Sequence, residues 1–275
     1  MSDESFDLQF YVSIPRAELT FIKMLCDYFI NRGYIYDQEA GYWLDKESII
    51  VQGTFNEAIE AFTQGTGSMV FQSKSQSIQY KVENNDYREN YKIELRFNLP
   101  PTVFLEFPSI VISCAKRFVY SDNWIDDEDG HKTTELRSDF VQEIDIISRE
   151  LWALIKPIYG NGGGDDYLSD YQPTKSDMEQ LRVQMLFPMN FFSKQFVDSI
   201  GEEKILKCGA EKILKFPDGS IMIWPTKNPM NGGGPRKIAP FERALGMKHE
   251  IWILGRRRLD REKRWADGMS NWIQR

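Results

Sequence analysis

Three glycines stand directly before two aspartates in the stretch YGNGGGDDYL, Tyr159–Leu168. A glycine-rich loop can cradle a phosphate when its backbone N–H groups converge and a lysine supplies a cation. Here Asp165 and Asp166 occupy the cation's place and would repel a phosphate. The second run, Gly232–Gly234, leads into Pro235, which has no N–H to donate. Neither run reads as a phosphate loop. The first is expected to be a helix exit and a flexible connector, with its aspartates on a solvated surface.

The other concentration of chemical groups is SDNWIDDEDGHK, Ser121–Lys132. Tested as a calcium loop, Asp127, Asp129 and Gly130 fit positions 3, 5 and 6 of an EF-hand, but Ile125 and Leu136 fall on positions 1 and 12 and cannot ligate calcium. Three readings stay open: a solvated loop between strand and helix, a looser hard-cation site, and an electrostatic binding surface. For the last, Asp122, Asp126, Asp127, Glu128 and Asp129 surround Trp124, an aromatic anchor ringed by one sign of charge. That pattern suits a basic protein partner, since charge speeds encounter and the ring supplies buried area.

Catalytic groups are sparse. The two histidines, His131 and His249, have no partner motif, and G-x-S-x-G, H-E-x-x-H and C-x-x-C do not occur. No catalytic residue, cofactor or metal-ligand set is therefore expected. Cys26, Cys114 and Cys208 are odd in number and widely spaced, which suits buried thiols in a reducing compartment. No apolar run approaches the roughly 20 residues of a membrane span. The acidic start, MSDESFDLQF, lacks the features of a signal peptide. A cytoplasmic protein is expected.

Charge is divided along the chain. Twelve of its 34 Lys/Arg but only five of its 41 Asp/Glu lie in residues 225–275, a net of +7. The other 22 basic and 36 acidic residues leave residues 1–224 at −14. The body would repel nucleic acid. The tail stretch GRRRLDREKRW, with Arg256, Arg257, Arg258 and Arg261, could contact nucleic acid or pack on the chain's own acidic surface.

The elements that would carry these groups follow from periodicity. FDLQFYVSIP alternates around Phe6, Leu8, Phe10 and Val12 as a half-buried strand. A helix with Leu19, Ile22, Leu25, Cys26 and Phe29 on one face should stop at Gly33. Strands are expected at Tyr34–Tyr36 and Tyr42–Val51, then a short helix with Thr54 and Glu57 at capping-box spacing. MVFQSK, SIQYKVE, YKIELRFNL, TVFLEF and SIVISCAKRFVY read as consecutive strands, hence an antiparallel sheet. Leu136, Phe140, Ile144, Ile147, Leu151 and Leu154 make a five-turn helical stripe ending at Pro157. AEKILKF, PDGS and IMIWP predict a hairpin about Asp218-Gly219. The tail from Pro240 should be helical.

The stretch from Asn190 to Pro229 resembles the C-terminal part of bacterial immunity proteins found beside polymorphic toxins and type VI secretion effectors, nearest to the immunity protein 52 group. The matching residues are Pro157, Tyr159 and Gly160; Asn190, Phe191 and Phe192; Phe196, Val197 and Gly201; Ile205 and Leu206; Asp218 and Gly219. They read as structural residues. Where that pattern has Trp or a small residue near Phe187, this chain has FPMN, and its basic tail has no counterpart.

The fold class expected is α+β, antiparallel sheet with helices packed on one face. Its body, residues 1–226, would be one domain or two fused halves with a break near 84–90, followed by a basic helical tail, 227–275. The resemblance implies tight binding of a cognate basic toxin without catalysis, and charge nominates Asp122, Trp124, Asp126, Asp127, Glu128, Asp129, Asp165 and Asp166 for the contact. The alternatives are a nucleic-acid-associated enzyme or accessory factor, using the tail and a carboxylate-bound metal, and a scaffold or virion component.

Overall fold

The computed structural model describes residues 5–13, 18–45, 49–63, 65–74, 79–81, 88–90, 92–99, 107–115, 119–126, 132–164, 173–183, 185–230 and 235–247. They form two compact units. One comprises Met1–Gln9, Ile14–Pro100 and Pro108–Ile155; the other Phe10–Ser13, Pro101–Phe107 and Lys156–Arg275. The fold is α+β, and every ladder with a defined register is antiparallel.

The first unit runs β1 (Ser5–Tyr11, of which Phe10 and Tyr11 belong to the second unit), α1 (Leu19–Asn31), β2 (Tyr34–Tyr36), β3 (Tyr42–Leu44), β4 (Ile49–Val51), α2 (Phe55–Phe62), β5 (Gly67–Ser73), β6 (Gln79–Lys81), β7 (Arg88–Asn90), β8 (Lys92–Asn98), β9 (Ser109–Ala115), β10 (Tyr120–Asp126), β11 (Lys132–Leu136) and α3 (Ser138–Ile155). Its main sheet has the order β1-β9-β8-β5-β3-β4, with β2 also on β5. Register aligns Met69 with Leu95 and Leu95 with Ile112, so alternate buried residues of three strands share one face. The helices pack there. Phe29 of α1 stacks on Phe71 at 5.5 Å, Phe62 of α2 lies 5.5 Å from Phe97, and Phe140 of α3 meets Phe6 edge-on at 5.4 Å. Such offset and edge contacts suit the ring quadrupoles.

Local signals explain these helices. α1 buries Ile22, Leu25, Cys26 and Phe29, and Gly33 ends it at φ +88°. Leu19 is exposed, so the expected stripe begins one turn later. In α2 the Thr54 side chain accepts from Glu57 N–H while the Glu57 carboxylate accepts from Thr54 N–H (2.7 Å), the capping box in full. α3 buries Phe140, Ile144, Ile147, Leu151, Trp152 and Ile155. Leu136 instead closes β11 opposite Tyr120, and Leu154 is exposed. The helical stripe is thus shorter at its start and rotated at its end.

The second unit runs β12 (Tyr159–Gly164), α4 (Lys175–Glu179), β13 (Met189–Phe192), α5 (Lys194–Ile200), α6 (Glu202–Leu206), β14 (Lys212–Lys215), β15 (Ile221–Trp224) and α7 (Pro235–Ala244), with strand order β12-β13-β15-β14. Tyr159, Phe192 and Ile221 align across three strands and join Phe196, Val197, Ile205, Ile238 and Leu245 in one core. The expected hairpin is present: Gly219 has φ +84°, and Ser220 N–H donates to Asp218 Oδ1 at 2.9 Å.

The glycine run corrects the sequence reading. Gly160–Gly164 is not a flexible connector but most of β12, paired with β13 from Tyr159↔Phe192 to Gly162↔Met189 and buried as far as Gly163. Glycine is needed for close approach: a Cβ on Gly160 would lie 2.8 Å from Phe10 Cδ1, and one on Gly163 3.0 Å from Pro188 Cδ. The expected tail helix also differs. α7 starts at Pro235, not Pro240, with proline at the first helical position and Pro240 inside. TVFLEF (except Phe107), the 84–87 part of the proposed break and residues 248–275 lie outside the described residues.

Candidate recognition surface

The acidic stretch is not a loop leading into a helix; its first half is a strand. Tyr120 to Asp126 form β10, which among the described residues pairs with β11 alone, in a two-stranded sheet. Aromatic and β-branched residues explain this, because Trp124 stands opposite Thr134 and Ile125 opposite Thr133. Asp126 stands opposite Lys132, an opposite-charge cross-strand position. The register shifts between Tyr120 and Trp124, so Asp122 falls in an irregular segment. Arg137 N–H donates to Val119 O at 3.0 Å, tying the base of the hairpin just before α3 begins.

Of the nominated residues, β10 therefore brings Asp122, Trp124 and Asp126 onto one strand. Asp127, Glu128, Asp129, Asp165 and Asp166 lie outside the described residues, as do His131, His249, Arg256, Arg257, Arg258 and Arg261. All three cysteines are buried and none of them forms a disulfide. Burial, with the charge of Asp27 adding to it, pushes the Cys26 thiol up to about 12. Among the described residues no three His, Cys, Asp or Glu side chains cluster to hold a metal ion, and no helix is long and apolar enough to cross a membrane.

The residues that matched the immunity-protein pattern sit mostly in the core. Asn190 Oδ1 accepts from Tyr159 Oη (3.1 Å) and Phe187 N–H (2.9 Å), while its Nδ2 donates to Phe187 O (2.6 Å). Burial raises the Tyr159 phenol well above its ordinary value, so it stays a neutral donor. Next to it, Tyr11 stacks on Tyr159 with ring centroids 5.8 Å apart, and burial, against a side-chain hydrogen bond with Asn161, raises its phenol too. Leu206 is exposed, and Gly201 takes φ +101° between α5 and α6.

One charged constellation was missed by sequence reasoning. Arg32 donates to Glu150 Oε2 at 2.8 Å and to both Glu143 oxygens at 2.9 and 3.0 Å, with Tyr28 on Glu150 and Tyr34 on Glu143. Burial, then the Glu150 hydrogen bond, raises the Tyr28 phenol. The signal was the seven-residue spacing of Glu143 and Glu150, two turns along one helix face. It clamps α1 to α3 and reads as structural.

No protein-family model matches the chain, and no curated protein does. A solved structure of Pseudomonas aeruginosa T6SS protein PA0821 is similar over 88% of this chain and 72% of that one, with 9% identity and a TM-score of 0.44. That likeness is too slight to carry an argument about fold or function.

Proposed function

We propose that this chain binds and neutralises a cognate basic toxin by occlusion, with no chemistry of its own, and that hairpin β10–β11 is its principal contact. The observation that supports this reading is the placement of Trp124 and its neighbouring carboxylates on a two-stranded ribbon apart from the main ladders. A ribbon of that kind can enter a cleft, and the −14 charge of residues 1–224 suits a cleft built for nucleic acid. The resemblance to immunity proteins beside type VI secretion effectors gives the biological setting of the proposal.

The test is capture from the native host, or co-expression with the neighbouring gene, followed by mass spectrometry. A stoichiometric protein whose expression alone kills cells, and which is silenced by this chain, is the expected result. Recovery of nucleic acid without such a protein would overturn the proposal and favour an accessory factor acting through Arg256, Arg257, Arg258 and Arg261.

A further inference from the structure

The sheet of the first unit ends at β4, whose outer side has no strand beside it among the described residues. Ile49 and Ile50 are 47% and 61% exposed there. Ile50 stands opposite Trp43, which is half-buried and itself opposite Ser68 of β5. An open apolar edge presents unpaired N–H and C=O groups and is a template for another extended segment, so chains commonly guard it with lysine. The terminal strand of the second unit carries that guard, Lys212 and Lys215 in β14. Strand β4, Ile-Ile-Val, has no charge.

Its sequence surroundings have one sign. From Ile35 to Thr63 there are six carboxylates (Asp37, Glu39, Asp45, Glu47, Glu57 and Glu60) and one lysine, Lys46, a net of −5. Lys92 Nζ offsets Asp37 at 2.9 Å. Glu39, Glu57 and Glu60 are exposed. The Glu39 carbonyl accepts from Gln52 Nε2 at 3.3 Å, which places that turn at the exit of β4. The Glu57 carboxylate caps α2 at Thr54, directly after Gln52 and Gly53 lead away from the strand.

We infer that β4, with Trp43 beside it, is a docking edge for an extended lysine- or arginine-bearing segment of a partner protein. The segment adds as a strand: main-chain hydrogen bonds hold it, Ile50 and Trp43 receive its apolar side chains, and the carboxylates select its cations. This edge lies in a different sheet from hairpin β10–β11, so the inference stands or falls independently of the toxin proposal.

The experiment uses the full chain with three heptapeptides: acetyl-Lys-Val-Lys-Val-Lys-Val-Lys-amide, its Glu-for-Lys counterpart, and the lysine peptide with proline at two valine positions. Binding is read by amide hydrogen exchange and NMR shifts at Ile49–Val51. The lysine peptide is expected to protect these amides. The glutamate and proline peptides should bind weaker by about ten-fold or more, as should the lysine peptide to Ile50→Lys. Because Ile50 is exposed, that variant should keep the wild-type circular dichroism and melting temperature. Equal binding of the glutamate peptide, undiminished binding to Ile50→Lys, or no protection at β4 overturns the inference. Protection that rises with chain concentration in the absence of peptide assigns the edge to a second copy and overturns it too.

Discussion

A Cβ on Gly160 would meet Phe10 at 2.8 and 3.1 Å and Phe191 Cβ at 3.3 Å, all in the interior of the second unit. Phe10 and Phe191 already meet edge to face at 5.7 Å, so neither ring can yield without losing the other. Gly160→Ala is therefore expected to destabilise by about 1–3 kcal/mol through overpacking. Gly65→Ala, with nothing within 4 Å of its Cβ, should change stability by less than about 0.5 kcal/mol. Urea denaturation of both variants checks the pair, and equal midpoints would remove close packing as the reason for glycine in β12. The same residue shows why the run was misread. Locally, YGNGGG has the composition of a loop; what requires glycine is a ring 150 positions earlier in the chain. The Asn190 knot was legible only as a pattern, because its value lies in orienting Tyr159 and the Phe187 backbone together. Gly33 and Gly219 were readable, since their requirement is a positive φ within a local turn.

Elements whose stability is written locally were placed well. Thr54 and Glu57 specify the start of α2 by their own hydrogen bonds, and Thr54→Ala should cost about 1 kcal/mol, measured as a lowered denaturation midpoint. The start of α3 adds a dependence on pH. Arg137 Nε donates to Asp139 Oδ1 at 3.0 Å, and this bond, against some burial, holds the Asp139 carboxyl below its ordinary value. A lowered folded value means the contribution is present above the unfolded value and is lost as pH falls through the folded one. Asp139 is half-exposed, so its pairing is worth at most about 1 kcal/mol. Asp139→Asn should thus be slightly less stable than the parent at pH 7 and indistinguishable from it once the parent's Asp139 carboxyl is protonated in both the folded and the unfolded state. A gap that persists in acid would assign the loss to packing instead. The strand expected over SIVISCAKRFVY contains β9, which ends at Ala115, whereas β10 begins at Tyr120 and runs into the stretch expected as an acidic loop. Periodicity shows that residues are extended; it does not show that β10 leaves the main sheet to pair with β11.

At the scale of the whole molecule the legible quantity was charge. Composition assigns −14 to residues 1–224 without any structure, yet it cannot say which carboxylates converge. The backbone places Asp122, Trp124 and Asp126 on one strand. If that ribbon is the contact, its charges and its ring should act on different rate constants. Long-range attraction is felt before contact, so Asp122→Ser together with Asp126→Ser should lower the association rate of the captured partner and flatten its dependence on salt. Trp124 acts only once it is buried, so Trp124→Ala should leave association nearly unchanged and speed dissociation, with a loss of about 2 kcal/mol or more. Surface plasmon resonance at two salt concentrations separates the two. An unaltered salt slope in the aspartate variant, with an unaltered dissociation rate in the tryptophan variant, would take the hairpin out of the interface and leave the β4 edge to be tested on its own.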